Sequence, residues 1–274
     1  MAGRGANTDL ITSARELAAL TSLKEGAAVL SAAGRRIGLP LCAVVDDYSS
    51  NTLLTDEEGI TLAERFGWPV EAIEGWVDQG LTLFSPLGAA CRLARRPFVW
   101  HQADFALALP EPSRKVEGRQ ERVLDFLGEL GIKGGIAAPV HRPLGRIGSV
   151  VWMCFEDSLD LEALLKAHED GFFLLGHYFL DLVSRAQDEG PVIEGAVTLT
   201  EREVECLTWV ALGKTDAEIG KIISRSPTTA RFHIDKATRK LNAGSRAQAV
   251  AKAAQLGIIG PVLAPFPERG PAKG

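Results

Sequence analysis

Between residues 199 and 256 the chain carries three helix-start signals in close succession, and they leave the backbone little freedom. Thr200 with Glu203, and Thr215 with Glu218, are spaced as capping boxes, in which hydroxyl and carboxylate satisfy the free amides of a first turn. Ser226 before Pro227 starts a third helix, because proline at the first helical position sacrifices no hydrogen bond. Gly213 stops the first helix, since glycine accepts the left-handed conformation. Val204, Leu207 and Val210–Ala211 are the buried stripe expected of that helix, and Ala217, Ile219 and Ile222–Ile223 supply the second. Ala230, Ile234, Ala237 and Leu241 give the third one inward face. A fourth helix from Ser245 closes the core with Ala249–Val250 and Ala253. The pattern predicts a small all-α four-helix unit containing a helix-turn-helix, whose outward third helix suits the major groove of DNA.

Charge points the same way. From Lys214 to Lys252 there are nine basic and three acidic residues, a local excess of +6 in a chain of net −5. Such an excess attracts a phosphate backbone whatever the value for the whole chain. A solvated basic helical surface is the plainer reading of charge alone; capping and turn geometry together favour DNA. Thr228, Thr229, Arg231, Asp235, Lys236 and Arg239 lie off the inward face and, with Lys214 and Arg246, are the candidate DNA contacts. Asp235 pairs with Arg231 or Arg239 before it is free to accept a hydrogen bond from cytosine N4, the alternative role open to a carboxylate here.

Residues 199–256 resemble the C-terminal helix-turn-helix of LuxR-type regulators. The likeness rests on Leu-Thr-Glu-Arg-Glu-Val from Leu199, Gly213-Lys214-Thr215, Glu218-Ile219, Ser226-Pro227-Thr228-Thr229, His233 and Lys240-Leu241-Asn242-Ala243. The run Ser-Arg-Ala-Gln-Ala-Val-Ala-Lys-Ala from Ser245 is similar to the quorum-sensing branch. The resemblance implies that Glu203, Leu207 and Gly213 are framework positions, and that Thr228, Thr229, Arg231 and Asp235 face DNA. Asp235 departs from the Asn or Arg often found there.

At 274 residues the chain has room for a larger domain ahead of this one. Residues 187–198 combine Gly, Pro and acids without periodicity and read as a linker, and 261–274 as a Pro-rich tail. In residues 1–186, 8–34 have helical periodicity with Leu17, Leu20, Leu23 and Val29–Leu30 as the buried set. Leu41–Val45 and Pro97–Trp100 read as strands, Val70–Gly80 and Lys115–Leu130 as helices. Gly134–Phe155 is a β-hairpin turning at Pro143-Leu-Gly, and Leu159–Ala186 a long apolar helix that crosses a sheet or forms a dimer seam. The fold class is α+β: an α-β-α sandwich with an antiparallel sheet, plus the four-helix domain.

The segment from Gly67 to Pro86, followed by Pro97-Phe-Val-Trp100, resembles the autoinducer-binding domain of the quorum-sensing branch. In that family the proline matching Pro69 is followed at three residues by Trp, at seven by Tyr and at sixteen by Asp. Those side chains hold the ring carbonyl, acyl carbonyl and amide of an acyl-homoserine lactone. Here the positions carry Ala72, Trp76 and Ser85, while Pro86, Trp100 and Gly134 or Gly135 keep the pattern. Ala72 offers no indole N–H, and neutral Ser85 binds an amide more weakly than a carboxylate does. Losing both contacts costs a homoserine lactone several orders of magnitude in affinity unless other groups compensate. The residues available to line a pocket are Trp68, Ala72, Trp76, Phe84, Ser85, Trp100, Phe105, Gly135 and Trp152, and they suit an apolar or aromatic ligand. Otherwise these aromatics simply fill a core, leaving a ligand-independent regulator controlled by abundance or a protein partner.

Catalysis finds little support. The histidines of the first domain, His101, His141, His168 and His177, are scattered, and no serine elbow, phosphate loop or metal spacing occurs. Four dispersed cysteines and no apolar run long enough to span a bilayer suit a cytoplasmic protein with reduced thiols. The expectation is a homodimeric regulator of an operator duplex that also meets RNA polymerase, without metal or cofactor.

Overall fold

The computed structural model describes residues 3–103, 105, 118–187 and 197–260, with side chains from residue 10 onward. The chain divides into two compact units, residues 1–189 and 190–274. Residues 188–196 of the expected linker, the expected tail and the first three residues of the helix expected from Lys115 lie outside the described residues. Among the described residues no helix is long and apolar enough to cross a membrane.

The first unit runs α1 (Gly3–Ala19), α2 (Leu23–Arg36), β1 (Leu41–Val45), α3 (Leu62–Phe66), α4 (Val70–Asp78), α5 (Leu81–Phe84), α6 (Pro86–Leu93), β2 (Phe98–His101), α7 (Arg119–Glu129), β3 (Gly134–His141), β4 (Ile147–Cys154) and α8 (Leu161–Ala186). The strands form one antiparallel sheet in the order β1-β4-β3-β2. Successive side chains point to opposite faces, so the sheet serves two cores. Cys42, Ile136, Ala138, Val150 and Trp152 pack with residues of α1, α2 and α8. Ala137, Val151, Met153 and Trp100 pack with residues of α5, α6 and α7. An α-β-α sandwich results, and α8 crosses the sheet.

The helical periodicity over 8–34 is two helices rather than one. The chain breaks at residues 20–22, where the Ser22 hydroxyl accepts the Glu25 N–H at 3.2 Å and also contacts Glu57. Leu20 sits half-buried at the break. The hairpin turns through Pro143–Gly145, with Leu144 at φ 63°. Arg142, just before the turn, bonds Asp46 and the Ser184 hydroxyl of α8.

The second unit contains α9 (Glu201–Ala211), α10 (Asp216–Ile222), α11 (Pro227–Lys240) and α12 (Arg246–Gln255). Both capping boxes form. The Thr200 and Thr215 amides donate to Glu203 and Glu218, each at 2.8 Å, and the hydroxyls accept in return. Ser226 and Ser245 each accept an N–H of the first turn at 3.1 Å. Gly213 follows α9 at φ 77°. Ala230, Ile234, Ala237 and Leu241 are all buried, as their spacing predicts.

Two helices bury different residues from those expected. α9 lies between two small cores, so its buried arc is wide. Cys206 and Trp209 face Ile219, Ile223, Ala230 and Ile234, while Leu207 faces Ala237, Leu241, Ala249 and Ala253. Ala211 falls outside that arc and is exposed. α10 has two turns and one narrow contact, made by Ile219 and Ile223, so Ala217 and Ile222 face solvent. Between α10 and α11 the chain doubles back tightly: the Arg225 amide bonds the Gly220 carbonyl at 2.8 Å. A Cβ on Gly220 would lie 2.9 Å from Arg225 O and Pro227 N, both backbone atoms.

Candidate DNA interface and ligand cavity

Burying Ala230, Ile234 and Ala237 turns the opposite side of α11 outward. Thr228, Arg231, Asp235, Lys236 and Arg239 are exposed, and Thr229 is half-buried with its hydroxyl 2.9 Å from that of Ser226. Arg231 Nε lies 4.0 Å from Asp235, one helical turn on, so Asp235 takes the pairing expected of it with Arg231. Arg239 Nε meets the Asp235 backbone carbonyl at 3.4 Å, not its carboxylate. Lys214 lies 3.8 Å from Glu218. Arg246 donates to Asp216 at 3.1 Å and to the Lys214 carbonyl at 3.2 Å, joining α12 to the start of α10. Phe232, absent from the expected contacts, stands in the middle of this surface, 51% exposed, with Lys236 Nζ 4.6 Å from its ring centroid. Its position half a turn from the apolar stripe is legible in the spacing, but the side chain carries no charge or hydrogen-bonding group to mark it as a DNA contact.

Beneath this helix, Glu203 joins the cap to the core. Its carboxylate is almost fully buried and bonds Lys240 Nζ at 2.7 Å, and Lys240 also bonds the Thr198 carbonyl. Burial acts to raise the Glu203 carboxyl; the Lys240 ammonium and the Thr200 amide outweigh it and hold the group below the ordinary carboxylate value.

In the first unit a cavity of about 100 Å³ lies against the sheet face that carries Val151 and Met153. Ala43 and Val45 of β1, Trp68, Ala72, Ile73 and Trp76 of α4 and its approach, and Tyr48, Thr82, Ser85 and Leu87 complete much of its wall. Every lining side chain is uncharged. The Trp68 indole donates to Cys42 O at 2.6 Å and that of Trp76 to Thr82 Oγ1 at 2.8 Å, so both rings are fixed. Trp76 also meets Phe126 edge-on, with centroids 5.7 Å apart. Tyr48 shares a 2.7 Å hydrogen bond with Ser149, and burial pushes its phenol pKa well up, keeping it neutral. The Ser85 hydroxyl, on a residue only 6% exposed, has no hydrogen-bond partner among the described residues.

Of the nine residues expected to line a pocket, the fold thus brings Trp68, Ala72, Trp76 and Ser85 together, and not the other five. Trp152 has the wrong parity in β4: it points to the opposite face and meets Phe172 at 5.1 Å, leaving Val151 and Met153 to line the cavity. Gly135 serves strand approach, since a Cβ there would fall 2.0 Å from Trp152 O. Trp100 and Phe105 pair at 6.1 Å inside the core beside α7 residues Val123 and Leu127. Phe84 is half-buried on a separate recess, with the Arg119 guanidinium 4.4 Å from its ring centroid. Tyr48, Thr82 and Met153 were missed; hydroxyls and a strand methionine carry no local sequence signal for a cavity.

An antiparallel α-β-α sandwich with a cavity walled by uncharged side chains, in a chain that also holds a helix-turn-helix, defines a class of DNA-binding regulator with a separate domain of ligand-binding type. The family described as bacterial regulatory proteins, luxR family, matches residues 197–253, and the autoinducer binding domain matches residues 25–182. The chain belongs to the LuxR family of transcriptional regulators, in the quorum-sensing branch that carries an autoinducer-binding domain, and is not an enzyme. It is similar to the quorum sensing-dependent regulator RpaR of Rhodopseudomonas palustris, with 31% identity over 73% of this chain and 75% of that protein. It is also similar to the activator BjaR1 of Bradyrhizobium diazoefficiens, with 30% identity over 74% of this chain and 77% of that protein. Among solved structures, SdiA in complex with octanoyl-rac-glycerol has the same fold, with a TM-score of 0.53 and 19% identity over 91% of this chain and 94% of that one.

Proposed function

We propose that this regulator is a cytoplasmic homodimer whose α11 enters the major groove of a two-fold-related operator, with half-sites about one helical turn apart, and whose bound form meets RNA polymerase. Thr228, Thr229, Arg231, Asp235 and Arg239 face the bases, and Lys214, Lys236 and Arg246 serve the backbone. The sensory unit, residues 1–186, carries the dimer contact and takes a neutral, apolar or aromatic small molecule rather than a standard acyl-homoserine lactone. Trp68, Ala72, Trp76 and Ser85 are the ligand contacts.

The observation that carries the ligand reading is the cavity wall: it holds no charged side chain, and the serine standing where the family has aspartate presents an unpartnered hydroxyl. SdiA, with the same fold, is complexed with octanoyl-rac-glycerol, itself uncharged and largely apolar. A second reading, regulation without ligand, draws support from the small cavity, about 100 Å³ against the roughly 300–1,000 Å³ common for ligand sites. Mass spectrometry of an organic extract of the purified protein separates the two. A stoichiometric neutral molecule is the expected result. An empty extract together with tight operator binding overturns the ligand reading and leaves the regulator.

A further inference from the structure

On α11 the buried residues Ala230, Ile234 and Ala237 fix which residues face outward. At 100° per residue, Phe232 lies directly across the helix from that face, in line with Thr228 and Arg239. Half of its surface meets water. The ring is held in place: Lys236 Nζ stands 4.6 Å from its centroid, and the His233 ring meets it edge-on at 5.8 Å. An apolar side chain at the centre of a polar helix face gains nothing from water. Its surroundings select the partner. Arg231, Lys236 and Arg239 are exposed beside it, which suits a polyanion and disfavours docking into an apolar protein groove. A duplex offers one apolar group at the major-groove edge, the C5-methyl of thymine.

We propose that Phe232 is a specificity residue that reads the thymine methyl group, adding an apolar contact to the polar ones of Thr228, Arg231 and Arg239. The inference rests on α11 lying in the major groove. Burying one methyl group against the ring is worth about fourfold in affinity.

The test uses the full-length protein. Sites are selected from a random duplex library, and each thymine of the selected site is replaced singly by deoxyuridine, which removes only the methyl. One thymine in each half-site is expected to show about fourfold weaker binding by the wild type when so replaced. Phe232→Ala binds the thymine and uracil sites equally, and Phe232→Leu keeps part of the difference. Arg231→Ala, which leaves the ring in place, keeps the full difference. Indifference of the wild type to every uracil replacement overturns the proposal without calling on any variant, and so does an undiminished penalty in Phe232→Ala. In both cases enrichment of a site shows that the groove-binding reading survives. If no duplex is enriched, both fall.

Discussion

Glu203 offers the sharpest handle on the second unit, because one carboxylate closes the α9 capping box and pairs with α11. Glu203→Ala removes the acceptor of the Thr200 amide and the partner of Lys240. Loss of the reciprocal cap costs about 1 kcal/mol. Loss of the ion pair adds about 1–2 kcal/mol, less than the roughly 3–5 kcal/mol of a fully buried pair, because the Lys240 side chain is 40% exposed and water can take over its ammonium. The sum, about 2–3 kcal/mol, corresponds to about 30- to 150-fold faster amide exchange in α9 and α11. Hydrogen-exchange mass spectrometry of the full chain reads this, with peptides from residues 118–187 as the unchanged internal reference. Glu203→Gln keeps an oxygen for the Thr200 amide and loses the charge, so it is expected to fall between wild type and alanine. The folded carboxyl titrates below its ordinary value of 4.5. Its contribution is therefore complete above that value and is lost as pH falls through the folded value. Alanine peptides exchanging within threefold of wild type at pH 7, or an acid response identical in wild type and Glu203→Gln, refute this account.

Gly220→Ala forces a methyl against Arg225 O and Pro227 N at 2.9 Å and is expected to destabilise the helix-turn-helix by about 1–3 kcal/mol; a weakened operator titration with unchanged exchange in residues 118–187 checks it. Lys236→Ala is expected to weaken binding to random as well as operator duplexes and to flatten the slope of log affinity against log salt by about 0.9, measured by anisotropy from low to moderate salt. All four cysteines are free and buried, and burial raises Cys91 to about 12 and Cys206 to about 11. A thiol reagent at pH 8 is expected to label none of them until denaturant is added; rapid native labelling counts against that burial.

How much was legible in the sequence depends on how local the cause is. The caps at Thr200, Thr215 and Ser226 act within three residues, and each forms where the spacing places it. The same signals occur at Thr61 with Glu64, which caps α3, and at Ser85-Pro86, where Pro86 opens α6, but these helices, of 5 and 8 residues, are too short to sustain an apolar period. Residues fail to be legible where a distant element decides their side. Ala211 and Ile222 match the helical period but meet no partner, because α9 and α10 touch their neighbours over particular arcs. Trp152 is as aromatic as Trp68, but only the pairing register of β4 shows that it faces away from the cavity. The loss of the family's Trp, Tyr and Asp at Ala72, Trp76 and Ser85 was plain in the chain, whereas the cavity also needs Tyr48 and Met153, which only the fold brings close.

Among the described residues Trp68 alone packs against both hydrophobic cores of the sandwich, and its ring also forms part of the cavity wall. Anything that settles beside it braces the two layers at once. Occupancy therefore registers as added resistance of the whole sensory unit to heat, not as the closing of a local flap, and a melting curve becomes a ligand detector that needs no knowledge of what the ligand is.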